Sequence, residues 1–174
     1  MPELPEVETI RRSLAPLHGK QIIEVGFSPL APVETTTPAE LRRHLEGSTL
    51  AAPRRRGKYL LLPNHAGAAV VIHLGMSGQI RLHPRGLPPA PPHRHFWLLF
   101  SDGSALDLVD PRRFGTLSLS REPLGADNPF LARLGPDYDD PGLNAAIFLE
   151  RCRRHPGHAL KSLALHQGVA AGLG

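Results

Sequence analysis

The stretch KYLLLPNHAGAAVVIHLGMSGQIRLH, residues 58–83, alternates short apolar segments with turn-forming residues. Three strands are predicted within it, at 58–63, 69–74 and 78–83, because apolar and β-branched runs bounded by Gly, Pro and Asn favour strands. Short strands at even spacing are typical of antiparallel sandwiches. This stretch therefore predicts a two-layer β-sandwich.

The same alternation of short apolar segments and turn-forming residues continues on both sides of this stretch. Further strands are predicted at 21–27, 95–100, 105–109 and 115–120, and residues 84–94, with their LPPAPP, read as a loop. Helices are predicted at 5–18, where Pro5 can occupy the first position, and from a Thr37 capping box to Leu45. Beyond residue 127 the predicted elements are all helical, at 128–135, 144–154 and 158–167.

These elements predict an α+β chain in two parts. Residues 1–136 form a β-sandwich domain flanked by the N-terminal helix, and residues 143–174 form the first helices of a second, truncated helical domain. The boundary is placed near 136–143, in the linker PDYDDPG. In the last part, Ala145, Phe148, Leu149 and Cys152 are expected to share one helix face.

The composition indicates which kind of molecule the protein binds. The chain has 174 residues and a formal net charge of +4, which suits a polyanionic partner. Cys152 is the only cysteine, so an internal disulfide and a multi-cysteine zinc site are excluded. No apolar run has membrane length and no signal-peptide pattern is present, so a cytoplasmic protein with no membrane partner is expected.

The N-terminus, PELPEVET at residues 2–9, carries the first candidate site. If Met1 is removed, Pro2 becomes a free secondary amine, and an α-amino group titrates near about 8. An unprotonated amine can attack a carbonyl-like carbon and form an iminium, with Glu3 and Glu6 as adjacent proton donors or acceptors. The alternative is that proline and glutamate simply start a helix well.

Two turns and a basic segment carry further candidates. RRRGKYLLL, residues 54–62, is either a solvated basic turn or a phosphate clamp in which Lys58 follows Gly57. Met76 lies in a Gly-Met-Ser-Gly turn, where an exposed apolar side chain can insert between bases.

The second turn is DPRRFG, residues 110–115, which combines Arg112 and Arg113 with Phe114. It fits contacts to unstacked bases, or a loop with a packed phenylalanine. HRH, residues 93–95, is expected to supply a loop or buried histidine rather than a metal site with His73, because no carboxylate or cysteine falls at a useful spacing.

Taken in order, PELPEVET, RRRGKYLLL, HLGMSG, DPRRFG and LKSLALHQGVAAGLG resemble the bacterial formamidopyrimidine-DNA glycosylases. The resemblance covers essentially the whole chain. Members of that family excise oxidised purines such as 8-oxoguanine and also cleave the DNA strand at the resulting abasic site. The resemblance therefore implies a monomeric base-excision repair enzyme acting on damaged double-stranded DNA.

The resemblance also implies residue roles. Pro2 is the nucleophile on the sugar C1′, Glu3 the general acid that assists opening of the sugar ring, and Glu6 a member of the same cluster, while Lys58 contacts the phosphates near the lesion. Met76, Arg112 and Phe114 fill the space left by the extruded base. The remaining implied DNA-binding residues are Arg113, Lys161 and His93. No cofactor is implied within this chain, since the family zinc finger would lie beyond Gly174.

Departures from the family pattern leave alternatives open. His166 stands where the family has an aspartate, and family members continue past Gly174. A retained Met1 would turn the Pro2 nitrogen into an unreactive tertiary amide. The alternatives are a truncated, inactive paralogue that binds damaged DNA, and the sister family of glycosylases that prefers oxidised pyrimidines.

Overall fold

The structure is a computed structural model that describes residues 2–122 and 125–174, so Met1, on which the chemistry of Pro2 depends, lies outside the described residues. The helices are α1 (Leu4–Ser13), α2 (Pro38–Leu45), α3 (Ala145–Arg153) and α4 (Leu160–Ala164), with single 3₁₀ turns at Ala15–Leu17 and Leu131–Arg133. The strands are β1 (Ile22–Phe27), β2 (Arg54–Arg56), β3 (Tyr59–Pro63), β4 (Ala69–His73), β5 (Gln79–His83), β6 (Arg94–Phe100), β7 (Ala105–Val109) and β8 (Thr116–Ser120). No described helix is both long enough and apolar enough to cross a membrane.

The strands form two four-stranded sheets, one in the order β1-β6-β7-β5 and the other in the order β2-β3-β4-β8. Every neighbouring pair of strands is antiparallel. The facing sides of the sheets share one apolar core, to which the second sheet contributes Leu60, Leu62, Val70 and Ile72 and the first contributes Phe96, Leu98, Leu106 and Leu108. The predicted α+β sandwich is therefore confirmed.

The outer face of the second sheet is also covered. Leu61 and Val71 point away from the main core and pack with Leu131, while Leu134 and Tyr59 lie against the same small cluster. Strands buried on both faces need no polar alternation, which explains the unbroken apolar runs YLLL and AVVI. The chain after β8 thus packs back onto the sheet that carries Lys58.

Two predicted elements near the N-terminal half differ from the structure. The helix predicted at 5–18 ends at Ser13 and continues only as the 3₁₀ turn Ala15–Leu17. Pro16 is the reason, because proline lacks the N–H and its ring clashes with the carbonyl of the residue four positions before. The three arginines before Gly57 form strand β2, paired with β3, instead of a solvated turn.

The helical part is shorter than predicted. The helices expected at 128–135 and 158–167 are a single 3₁₀ turn and the five-residue α4. Helix α3 begins as predicted, since the Asn144 side chain accepts a hydrogen bond of 3.0 Å from the Ile147 N–H. Its expected apolar face is not buried, and Leu149 remains exposed.

Candidate functional site

The N-terminus is held by the far end of the chain. The Leu4 N–H donates a hydrogen bond of 3.0 Å to the Gly172 carbonyl. Gly172 has a φ of +121°, and a Cβ there would lie 2.5 Å from Leu4 Cδ1, so only glycine allows this approach. The Glu6 carboxylate accepts a 3.0 Å hydrogen bond from the Glu3 N–H. Pro2 and Glu3 therefore precede α1 as an anchored segment, where termini usually fray.

Lys58 lies beside this segment at the tip of the β2–β3 hairpin. Gly57 takes a φ of +54° at the first of the two turn residues, and its backbone packs on Ala171. Only 6% of Lys58 is exposed, and its Nζ abuts Gly174. Burial lowers the pKa of Lys58, and the nearby Glu3 carboxylate opposes that shift. Lys58 is therefore a largely buried cation whose ammonium lies close to the Glu3 carboxylate.

Asp137 joins the hairpin to the C-terminal segment, and sequence reasoning did not identify it. Its carboxylate accepts a 2.9 Å hydrogen bond from the Gly57 N–H and one of 2.8 Å from Arg55. The next residue, Tyr138, donates from its N–H to the Ala171 carbonyl at 3.0 Å. The signal was available in the acidic linker PDYDDPG, which complements the arginines of β2.

The arginines of β2 are largely engaged within the protein. Arg55 pairs with Asp139 and, at 3.3 Å, with Glu8, in addition to Asp137. Glu8 also accepts hydrogen bonds from Arg11 and Arg12, and these interactions, that of Arg11 foremost, lower the pKa of Glu8 to about 2. Arg55 is thus a structural residue, and the phosphate clamp suggested for residues 54–62 stays a prediction that concerns Lys58.

The two predicted turns lie against each other at one edge of the sandwich. Met76 is 50% exposed and Phe114 is 53% exposed. A Cβ on Gly75 would lie 2.5 Å from the Gly115 nitrogen, so the backbones of the two turns touch. The Arg112 guanidinium carbon lies 4.7 Å from the centroid of the Phe114 ring. Two exposed apolar side chains and a cation therefore project from one place.

Asp110 holds the two turns together and was not singled out in the sequence. Its buried carboxylate accepts hydrogen bonds from the Gly115 N–H at 2.8 Å, the Arg112 N–H at 3.3 Å and the Ser77 hydroxyl at 2.5 Å. Burial opposes ionisation, but the hydrogen bonds outweigh it, and the pKa of Asp110 lies below its ordinary value. The Asp-Pro pair that opens this turn was the available signal.

The other residues for which the resemblance implies DNA binding are Arg113, His93 and Lys161. Arg113, with a φ of +54°, and His93, with a φ of +67°, are exposed, and the His93 carbonyl accepts a 3.0 Å hydrogen bond from the Asp110 N–H. Lys161 is exposed on α4, and no described contact brings it to Lys58. His95 is buried, as expected for that segment. Within residues 2–122 and 125–174, no group of three or more metal-binding side chains is close enough to hold a metal ion.

This antiparallel sandwich is the fold of a DNA glycosylase N-terminal domain. Residues 1–117 match the family described as "Formamidopyrimidine-DNA glycosylase N-terminal domain", and the chain belongs to that family.

Individual relatives agree with this assignment. The chain is 42% identical to the formamidopyrimidine-DNA glycosylase of Methylococcus capsulatus and 41% identical to that of Stenotrophomonas maltophilia. Each alignment covers 100% of this chain and 63% of the relative, so the chain spans about two thirds of the length of these proteins.

Solved structures agree as well. A complex of Lactococcus lactis Fpg with DNA containing an abasic site has a TM-score of 0.84 and 32% identity, and covers 99% of this chain and 63% of that one. A complex of MutM with DNA containing carbocyclic 8-oxo-G has a TM-score of 0.83 and 31% identity, covering 99% and 65%.

Proposed function

We propose that the chain is the catalytic part of a base-excision repair glycosylase that removes oxidised purines from double-stranded DNA and then cleaves the strand at the abasic site. One observation carries the proposal: Leu4, next to Pro2 and Glu3, is hydrogen-bonded to Gly172, while Lys58 abuts Gly174. A potential nucleophile and a carboxylic acid from residues 2–3 are thus brought beside the cation Lys58, with the segment 172–174 in contact with both parts.

The relatives supply the substrate class. The similar structures contain DNA with an abasic site, with 8-oxo-G or with Fapy-dG, each bound to the protein named with it. A damaged base in a duplex must leave the stack before its C1′ can be reached, so the proposed enzyme acts on an extruded nucleotide. We propose that Met76, Phe114 and Arg112, which project from one edge of the sandwich, occupy the space that such a base leaves.

The proposed reaction uses groups of this chain alone. After removal of Met1, the Pro2 nitrogen donates its lone pair to C1′, and the bond from C1′ to the base breaks with its electrons leaving on the base, which is then protonated. The attached nitrogen then loses its proton to a nearby base, Glu3 donates a proton to the ring oxygen as the C1′–oxygen bond breaks, and the nitrogen lone pair forms the iminium with C1′. We therefore propose that no cofactor is needed for these steps.

Strand cleavage follows from the iminium. Because it withdraws electrons, a C2′ proton can be removed, and the electron pair expels the 3′ phosphate oxygen in a β-elimination. A second elimination breaks the bond between C5′ and its phosphate oxygen, and addition of water to the iminium releases Pro2. We propose that Lys58 offsets the negative charge of a phosphate that flanks this sugar.

Trapping with borohydride tests the proposal. Reduction of the iminium should give a stable protein–DNA adduct that peptide mapping places on residue 2. Pro2→Gly keeps a terminal amine and should retain some trapping, whereas a form that keeps Met1 should be almost inactive. That form displaces the amine by one residue, about 3.3–3.6 Å, while reacting atoms must approach within about 3–3.5 Å.

Glu3→Gln provides a second measurement. Base excision should be lost, but cleavage of a preformed abasic site should partly survive, because proton transfer contributes about 10²–10⁴-fold.

In the trapping experiment, an adduct that maps to Lys58 or Lys161, or equal trapping with Met1 retained, would show that Pro2 only starts a helix.

A further inference from the structure

Strand β5 forms one edge of the first sheet, and this edge differs from the other sheet edges. At the opposite edge, the Val25 N–H donates to Glu46 Oε1 at 3.0 Å, and the Val25 carbonyl accepts from Arg42 Nε at 2.9 Å. The β8 edge is also covered, since Leu117 exchanges two backbone hydrogen bonds of 2.8 Å with the segment 32–34. The β2 edge has only three residues. Covered or very short edges prevent pairing with other chains.

The hydrogen bonds of the neighbouring strands show which residues of β5 face this edge. In an antiparallel sheet, successive residues of a strand bond alternately to the neighbour on one side and to the neighbour on the other. The Phe100 N–H donates to the Ser104 carbonyl at 2.9 Å, across the turn between β6 and β7. Counted from Ser104, the alternation directs the backbone of Asp107 away from β6 and toward β5. Arg81 is the partner of Asp107, so the Arg81 backbone bonds to β7.

Ile80 and Leu82 flank Arg81, so their N–H and C=O groups point away from β7. In the described part of the chain, no backbone or side-chain group forms a hydrogen bond with them. Their side chains pack against the sandwich core but are only partly buried, whereas Ile22 and Val25, at the covered edge, are buried almost completely. The free edge of β5 therefore presents two donors, two acceptors and apolar surface together.

The side chains beside this edge carry positive charge. Arg81 and Arg85 are exposed, and neither forms a salt bridge with another residue that the structure describes. The Arg81 guanidinium donates only to Gln79 Oε1, at 2.8 Å. Asp107 lies opposite Arg81 on β7, but its carboxylate is buried and pairs with Arg94 at 2.9 Å. Two cations at this edge are thus left to pair with a partner.

A second copy of the chain is a poor partner for this edge. The antiparallel register that uses both outward residues sets Ile80 of one copy against Leu82 of the other. It also sets Arg81 of one copy directly against the Arg81 of the other, and like charges in that position destabilise the pairing. A strand that carries carboxylates at alternate positions pairs favourably with Arg81 instead.

We propose that β5 binds an extended segment of another protein, in which apolar and acidic residues alternate, as an additional antiparallel strand. The apolar side chains of this segment lie beside Ile80 and Leu82 and extend the core, and its carboxylates lie beside Arg81. The surface is independent of the proposed reaction, because β5 contains none of the residues assigned to it. Gln79, the first residue of β5, follows the Met76 turn after two residues, so the bound segment passes close to that turn.

The probe is a synthetic peptide in which valine and glutamate alternate, with both ends blocked. In NMR spectra of the ¹⁵N-labelled chain, the amides of Ile80 and Leu82 should shift saturably, and that of Val25, at the covered edge, should not. In the proposed pairing, the valine N–H groups bond to β5 and the glutamate N–H groups point away. Methylation of the valine nitrogens should therefore abolish binding, whereas methylation of the glutamate nitrogens should change affinity less than about twofold.

A matched pair of variants tests the role of charge. Arg81→Gln should weaken peptide binding by about 1.5- to 5-fold, the range for one cross-strand pair of opposite charge. Arg43→Gln removes the same charge from an exposed position on α2 and should leave the affinity unchanged. A peptide with lysine in place of glutamate should bind the unmodified chain more weakly by a larger factor, because it sets like charges against Arg81. Thermal melting of both variants separates these effects from misfolding.

Several results would overturn the proposal. Absence of saturable shifts on β5, or equal binding of the two methylated peptides, would show that no strand is added there. Shifts at Gly57 and Lys58 instead of β5 would show that the acidic peptide only occupies the cationic site proposed for DNA. If the amides of Ile80 and Leu82 shift with protein concentration alone, and sedimentation shows a dimer, the edge is an interface between copies. The trapping of Pro2 does not depend on any of these results, so the proposed function is tested separately.

Discussion

At the scale of single residues, Glu8 lies on the surface of a helix and yet connects that helix to the sheet. It accepts hydrogen bonds from two arginines of its own helix, Arg11 and Arg12, and from Arg55 of β2. Pairs three or four residues apart on a helix surface are common and weak. The contact with Arg55 is different, because it ties α1 to the sheet whose hairpin presents Lys58.

Stability should therefore depend on the ionisation of Glu8. Its pKa is lowered to about 2 in the folded chain, against about 4.3 when unfolded. A lowered carboxylate pKa contributes stability above the unfolded value, and this contribution is lost as the pH falls from about 4.3 to about 2. Glu8→Gln should reduce the free energy of unfolding by about 1–2 kcal/mol at pH 7, and the difference from the unmodified protein should vanish near pH 2.

Urea denaturation at several pH values measures this difference. Glu150→Gln is a matched control, since Glu150 pairs with Arg154 on the exposed surface of α3. That change should alter the free energy of unfolding by at most about 0.5 kcal/mol. A constant difference for Glu8→Gln between pH 7 and pH 2 would mean that its carboxylate charge stabilises nothing.

At the scale of elements, the sequence predicted the strands better than the helices. Runs such as YLLL and AVVI are bounded by Gly, Pro and Asn, and their ends agree with the structure within one or two residues. Strand β2 was missed because three consecutive arginines carry no apolar periodicity, and their carboxylate partners lie about 80 positions away. The contact between the Met76 and Phe114 turns depends on Asp110, whose hydrogen bonds leave no local pattern beyond Asp-Pro.

The close contact between those two turns can be tested by substituting Gly75. Its φ is +58° and a Cβ would collide with the backbone of Phe114 and Gly115. Gly67 has a φ of +93°, but open space surrounds it. Gly67→Ala should cost about 1–2 kcal/mol for the backbone conformation alone, and Gly75→Ala should cost about 1–3 kcal/mol more for the collision.

Denaturation gives both free energies, and DNA binding gives the functional consequence. Gly75→Ala should weaken binding to a duplex with an abasic-site analogue, because the turns that carry Met76 and Phe114 separate. Gly67→Ala should bind as the unmodified protein does. Similar stability for the two variants would show that the turns are not in close contact.

At the scale of the whole molecule, the candidate site is assembled from three segments that are far apart in sequence. The segment 2–4, the hairpin tip at 57–58 and the segment 171–174 meet through hydrogen bonds of Leu4, Gly57 and Ala171. Sequence reasoning identified the residues of the first two segments as separate motifs. Only the family resemblance implied that they act at one lesion, because the linking residue, Asp137, is an ordinary acid in a linker until the fold brings β2 to it.

The division into two domains, with a boundary near 136–143, stays a prediction. The contacts across that boundary indicate how independent the two parts are. Asp137 lies in that boundary and contacts both sides of it, through Gly57 at 2.9 Å and through the pairing of its neighbour with Ala171. If the two parts opened independently, the anchor of the N-terminus on Gly172 would be lost whenever they separated. We expect instead that they open together as one cooperative unit around Asp137.

Hydrogen exchange in Asp137→Asn tests this expectation. The variant keeps the shape of the side chain but removes the charge that holds Arg55, so the amides of Gly57, Leu4 and Ala171 should all exchange faster, by about 5- to 30-fold for a loss of about 1–2 kcal/mol. The amide of Leu98, in the sandwich core, should not change. Asp139→Asn is the control, because Asp139 pairs with the same arginine but is half exposed, and it should give a much smaller effect. Faster exchange at Gly57 alone, with Leu4 and Ala171 still protected, would show that the N-terminal anchor does not depend on Asp137.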